Sequence, residues 1–126
     1  MLTQEGQNNA KTKVFEKRLK QDTFEHPDFY QLDDLFTEEQ KMIRQAVRDF
    51  VKKEISPYIE QWYENNHFPY EIVKKFGDLG VFGPTLPQEY GCGGLDYISY
   101  GLMMQEVERG DSGMRSTASV QGSLVM

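Results

Sequence analysis

The chain is poor in the residues from which thiol and metal chemistry is built. It has one cysteine, Cys92, and two histidines, His26 and His67, in 126 residues. A lone cysteine excludes an internal disulfide and fits a reducing compartment. Its neighbours Gly91, Gly93 and Gly94 include no base, so the thiol is expected to be inert. Histidines so widely separated suggest no metal site. Long apolar runs are also missing. Nothing approaches the ~18 residues of a membrane span, and the N-terminus lacks the apolar block of a secretory signal. Positive charge is the minority sign: 14 Lys and Arg face 20 Asp and Glu for a net -6, which argues against a nucleic-acid surface. The glycines of 91–94 match neither a dinucleotide fingerprint nor a phosphate loop, since no strand precedes them and no Gly-Lys-Ser/Thr follows.

What is present is a polar chain, 38% hydrophobic with a mean hydropathy of -0.65. It is of one-domain size, with enough apolar residues for a modest core. Residues 1–28 read as a mobile polar arm ahead of a helical domain at 29–126. In the arm, Lys11, Lys13, Lys17, Arg18 and Lys20 are diluted by Glu5 and Glu16, whereas a mitochondrial transit peptide is richer in arginine and serine. The expected location is the cytoplasm, with the mitochondrial matrix as the alternative. Phe24, Phe29, Tyr30, Leu32, Leu35 and Phe36 cluster around Pro27 and aspartates. They form either an irregular segment pinned to the core by its apolar side chains or a short amphipathic piece.

Five helical segments follow. Thr37 with Gln40 is a capping box, and Phe36 is placed to staple onto Lys41 or Met42. Ile43, Ala46, Val47, Phe50 and Val51 make one apolar stripe. Ser56-Pro57 is expected to close this helix and open the next, with Ser56 as cap and Pro57 in the first position. Ile59, Trp62 and Tyr63 form the second helix's inner face, and a single tryptophan on a short helix belongs to a core more often than to a ligand platform. Pro69 starts the third helix, through Ile72, Val73, Phe76 and Leu79, and Gly80 ends it. Pro84 and Pro87 make residues 81–90 extended and irregular. Asp96 caps the fourth helix, whose stripe is Ile98, Leu102, Met103 and Val107. Gly101 is available there for close helix contact, and Met103 and Met104 fill gaps in the core. The fifth helix starts at Asp111. No strand survives, so the expected fold is an all-α helical bundle.

The fifth segment carries the chemistry. Asp111 is a good N-cap, and Ser112 and Gly113 leave the first-turn N–H groups reachable. Arg115 falls one turn in, where a cation opposes the helix dipole by about 0.3–1 kcal/mol unless an anion partners it. Ser116, Ser119 and Ser123 follow at spacings of three and four, so Arg115, Ser116 and Ser119 can converge on one carboxylate. The competing account is a surface ion pair. Asp111 and Arg115 stand i,i+4 with the acid first, Glu108 is a second local acid, and serines at helical spacing let helices approach closely. Ion pairs outnumber sites, so spacing alone favours the ion pair. The last helix meets no stop signal, because Gly122-Ser123-Leu124-Val125-Met126 ends within an apolar pattern. Such a patch is expected to be covered, so the chain is expected to be a piece of a longer protein, truncated within its last helix.

The run Phe76-Gly77-Asp78-Leu79-Gly80-Val81-Phe82-Gly83-Pro84, followed by Glu89-Tyr90-Gly91-Cys92-Gly93-Gly94, resembles the N-terminal helical domain of flavin-dependent acyl-CoA dehydrogenases. Glu106 to Ser116, with Ser119-Val120-Gln121 and Ser123 to Met126, is similar to the glutaryl-CoA dehydrogenase branch. The likeness covers residues 29–126. The loop motif is specific to the family, and Asp111-Ser112-Gly113-x-Arg115-Ser116 to the branch. The resemblance implies an FAD enzyme that oxidises glutaryl-CoA and decarboxylates the product to crotonyl-CoA. It implies that Arg115 and Ser116 hold the terminal carboxylate, with Ser119 and Glu108 beside them. The implied partners are an acyl-CoA substrate, an electron-transfer flavoprotein or similar acceptor, and further copies of the chain in a homo-oligomer. Family members are several times longer, so the catalytic glutamate and the flavin contacts are expected in parts beyond this chain, and the 126 residues alone are expected to be inactive. Two alternatives remain: a helical interaction module docking through Leu124–Met126 and the aromatic segment, or a dehydrogenase for a different acyl group.

Overall fold

In the computed structural model, residues 24, 25 and 27–125 are described; residues 1–23 of the expected arm at 1–28, His26 and Met126 lie outside them. Among the described residues, five α-helices carry the fold: α1 Glu38–Phe50, α2 Ile59–Glu64, α3 Tyr70–Leu79, α4 Tyr97–Gly110 and α5 Ser112–Val120. Short 3-10 turns occupy Leu32–Leu35 and Gln88–Tyr90, and wider π turns extend α1 over Val51–Ile55 and α5 over Gln121–Val125. No strand occurs among the described residues, so the fold is all-α. None of the described helices is long and apolar enough to cross a membrane.

Local chemistry sets the helix starts. Thr37 Oγ1 accepts the Gln40 N–H at 3.2 Å while Gln40 Oε1 accepts the Thr37 N–H at 2.9 Å, the expected reciprocal cap. The glutamine's amide then reaches a second helix. Its Nε2 donates to Asp96 Oδ2 at 3.0 Å, and Asp96 Oδ1 accepts the Ser99 N–H at 2.7 Å as the cap of α4. The Ser99 N–H first, and the Gln40 amide next, hold the Asp96 carboxyl below its usual range. Farther along the same two helices Arg48 meets Glu106, and at their ends Val51 meets Gly110. The contacts run in the same order on both, so α1 and α4 lie parallel.

Between them and α3 sits the core: Val47, Val51, Ile55, Ile72, Phe76, Val81, Met103, Met104 and Val107, closed by Met114 and Ala118 of α5. Each of the larger of these side chains contributes about 1.5–3 kcal/mol of burial. Phe76 is flanked by Phe50 and Phe82 at ring-centre distances of 5.7 and 6.0 Å. Gly80, at φ +80°, ends α3 in the left-handed region that favours glycine.

Several expectations are corrected. The close approach in α4 is made at Gly110, where a Cβ would stand 2.5 Å from Val51 Cγ1; Gly101 faces open space. Ala46 is exposed and Ile98 is 51% exposed; apolar periodicity marks a face but not how much of it is covered. Met42 is also exposed, and the Phe36 ring lies beneath the Arg44 guanidinium at 5.8 Å. Ser56 caps nothing. The Pro57 ring conflicts with the carbonyl four residues back, the turn before it widens so that Ser56 N–H reaches Val51 O at 2.9 Å, and α2 starts only after Tyr58. Tyr63 is mostly exposed rather than on an inner face, while Trp62 and Ile59 do pack against the core.

Most apolar side chains of the aromatic segment do not pin it, although the Phe24 and Phe36 rings lie against the Arg109 and Arg44 guanidinium groups. Phe29, Tyr30 and Leu35 are more than three-quarters exposed. Polar contacts hold it instead. Asp28 accepts the N–H groups of Leu32 and Asp33 at 2.9 and 2.8 Å, and Asp33 takes both terminal nitrogens of Arg44 at 2.6 and 2.8 Å.

Candidate functional site

The last turns of α4 and the whole of α5 form one polar corner. A single extended residue, Asp111, ends one helix and caps the next. Its Oδ2 accepts the Met114 N–H at 2.8 Å. Its Oδ1 accepts the hydroxyl of Tyr63, from α2, at 2.7 Å. Asp111 beside it pushes the Tyr63 phenol above its ordinary value. Both carboxylate oxygens of Asp111 are therefore engaged, and no ion pair joins it to Arg115.

Arg115 pairs with Glu108 instead. Its Nε donates to Glu108 Oε2 at 2.6 Å, and Ser112 Oγ donates to the other oxygen at 2.5 Å. The Ser112 hydroxyl first, then Arg115, hold the Glu108 carboxyl below its usual range. Arg115 Nη1 donates to Ser119 Oγ at 3.2 Å; Ser119 in turn donates to the Ser116 carbonyl, and Ser123 to the Ser119 carbonyl. Arg115 Nη2 makes no hydrogen bond among the described residues. Glu108, Arg115 and Ser119 thus meet directly. Ser116 stands one residue round the helix, where it lines an open groove of about 640 Å³ with Val73, Phe82, Thr117, Val120 and Gln121.

Two features of this corner were not anticipated from the sequence. Glu106 is 1% exposed and takes Arg48 Nη2 at 2.6 Å, Arg48 Nε at 3.1 Å and Arg109 Nε at 3.3 Å. The signal was available, since Glu106 stands i+4 from Leu102 and i+3 from Met103, within the apolar stripe. The Tyr63–Asp111 contact carried no such signal. Elsewhere, Cys92 Sγ is 3.9 Å from its neighbour's carbonyl, Tyr90 O. No group of three or more His, Cys, Asp or Glu among the described residues is arranged to hold a metal ion.

An all-α domain with this corner defines a class of protein. Residues 37–126 match the family model for the acyl-CoA dehydrogenase N-terminal domain. The chain belongs to the acyl-CoA dehydrogenase family. It is 42% identical over 82 residues to the glutaryl-CoA dehydrogenase of Desulfococcus multivorans, which covers 63% of this chain and 21% of that protein. It is 38% identical over 89 residues to the mitochondrial short-chain specific acyl-CoA dehydrogenase of Bos taurus, covering 71% and 22%. A solved glutaryl-CoA dehydrogenase from Mycobacterium smegmatis, in complex with FADH2, matches with a TM-score of 0.71 at 45% identity, over 75% of this chain and 24% of that one. The chain thus spans 21–24% of the length of these relatives.

Proposed function

We propose that this chain is the N-terminal portion of a flavin-dependent acyl-CoA dehydrogenase that oxidises and decarboxylates glutaryl-CoA to crotonyl-CoA. One observation carries the choice of substrate: a partly exposed guanidinium beside a serine hydroxyl on α5, Arg115 with Ser119, its Nη2 unengaged among the described residues. A planar fork of N–H donors suits a carboxylate, and serine hydroxyls add donors. Arg115, Ser119 and Ser116 hold the terminal carboxylate, and Glu108 orients the guanidinium by its Nε edge. Similarity to glutaryl-CoA dehydrogenases supports this reading. Similarity to a short-chain enzyme supports the coarser one, a dehydrogenase for another acyl-CoA.

The reaction removes a proton and a hydride from adjacent carbons and then loses CO2. This chain's share is to fix the far end of the acyl group, which orients the reacting end. FAD, the cofactor proposed for the whole enzyme, supplies hydride acceptance when bound. In the glycine loop, Gly91 N–H turns to Gln88 O at 2.9 Å and Gly94 N–H to Leu86 O at 2.8 Å, so neither amide is aimed at an anion. No flavin contact and no catalytic base is assigned to this chain. Reoxidation by an electron-transfer flavoprotein or similar acceptor, and assembly as a homo-oligomer, belong to the same proposal.

The test is Arg115→Gln in an enzyme of full family length with this chain as its N-terminal domain. Loss of one partner from a desolvated charge pair costs about 2–5 kcal/mol, so kcat/KM for glutaryl-CoA is expected to fall about 30-fold or more. Turnover of butyryl-CoA, which lacks the carboxylate, is expected to change little. Equal losses on both substrates, or none on either, would leave Arg115 as an ordinary surface ion-pair residue.

A further inference from the structure

Asp111 and Arg115 stand at i,i+4 with the acid N-terminal, the spacing and order that favour an ion pair on a helix. The pair does not form. One oxygen of Asp111 is taken by the cap, at 2.8 Å from Met114 N, and the other by the Tyr63 hydroxyl at 2.7 Å. The phenol belongs to α2, 48 residues earlier, so its grip is independent of the helix that carries Arg115. The residue is 64% exposed, so burial alone does not account for its placement. The junction is also sterically closed. A Cβ on Gly113 would meet Asp111 Oδ2 at 2.9 Å and the Tyr63 oxygen at 3.7 Å, so the first turn of α5 passes directly beneath the bond.

We propose that Tyr63 is a positioning residue for Arg115: its hydroxyl detains the Asp111 carboxylate, which keeps the guanidinium available to a ligand carboxylate. This rests on the substrate role given to Arg115 above. Without the hydroxyl, Asp111 Oδ1 has no donor among the described residues and a cation one turn away. The internal carboxylate then competes with the ligand's. Glu108 does not compete in the same way, because it takes Nε and leaves Nη2 open.

The experiment is kinetic, on an enzyme of full family length carrying this chain as its N-terminal domain. Tyr63→Phe is expected to raise KM for glutaryl-CoA about fivefold, with kcat and the kinetics of butyryl-CoA unchanged. Asp111→Asn keeps a good cap but removes the competing charge, so in that background Tyr63→Phe is expected to have no effect on KM. Equal losses on both substrates, the same loss in the Asp111→Asn background, or no change at all would each overturn the positioning role. Arg115→Gln run alongside separates the two claims. Should it fail to discriminate the substrates, the carboxylate-binding reading falls and this one with it. Should it discriminate while Tyr63→Phe does not, the positioning role alone is lost.

Discussion

Glu106 and Glu108 stand two residues apart on α4 and behave as different chemical objects. Glu106 points into the bundle, where it is 1% exposed and bonded by Arg48 and Arg109. Its pairing is obligatory, because an unpaired charge in that position has no water to turn to. Glu108 faces outward and its side chain is 45% exposed. Its bonds to Ser112 and Arg115 compete with solvent, so they decide where a guanidinium points rather than whether the fold stands. One helix thus offers a structural ion pair on its inner face and an adjustable one on its outer face.

That contrast can be broken by mutation. Arg48→Met should show the largest effect, a destabilisation of about 3–5 kcal/mol in urea unfolding, because it strands Glu106 with Arg109 alone. Glu108→Gln in the same assay should leave the midpoint nearly unmoved. Equal shifts from the two would erase the distinction between the faces. Glycine substitutions sharpen it further. Gly110→Ala drives a methyl into Val51 and should cost about 1–3 kcal/mol, whereas Gly101→Ala, mid-helix with open space around it, should gain up to about 1 kcal/mol. The smallest effect is in acid. The Glu108 carboxyl is depressed from its ordinary 4.5 by Ser112 and Arg115. Its contribution to stability is therefore complete above 4.5 and fades as pH falls through the lower folded value. The wild type should exceed Glu108→Gln slightly in thermal midpoint near neutrality, and the gap should close as the pH is lowered below 4.5.

Local rules made much of the fold legible. Thr37 and Gln40 are three residues apart and Asp96 caps through Ser99, so both helix starts follow from neighbours in sequence. Gly80 ends α3 for a reason confined to its own backbone. What escaped depends on distance in sequence. The second use of Gln40, on Asp96, spans 56 residues, and the Arg48 bond to Glu106 spans 58. Ala46 and Ile98 looked like core because periodicity reports which face is apolar, not how much of it a neighbour covers. At the corner, Asp111 was legible as a cap, and the Arg115–Ser119 contact followed from their spacing. Arg115's choice of Glu108 over Asp111 was not legible, because the hydroxyl that occupies Asp111 comes from a tyrosine on another helix.

The parallel course of α1 and α4 bears on how that corner is assembled. Antiparallel neighbours zip up from the turn between them, but two helices running the same way have no such turn to start from. Bringing Gln40 to Asp96 closes a loop holding all of α2 and α3, and the entropy of that closure is lost before any contact across the pair can offset it. The Arg115 corner lies beyond the last contact of this pair, at Gly110. We therefore expect it to be among the last parts to take shape, with mutations there accelerating unfolding more than they slow folding.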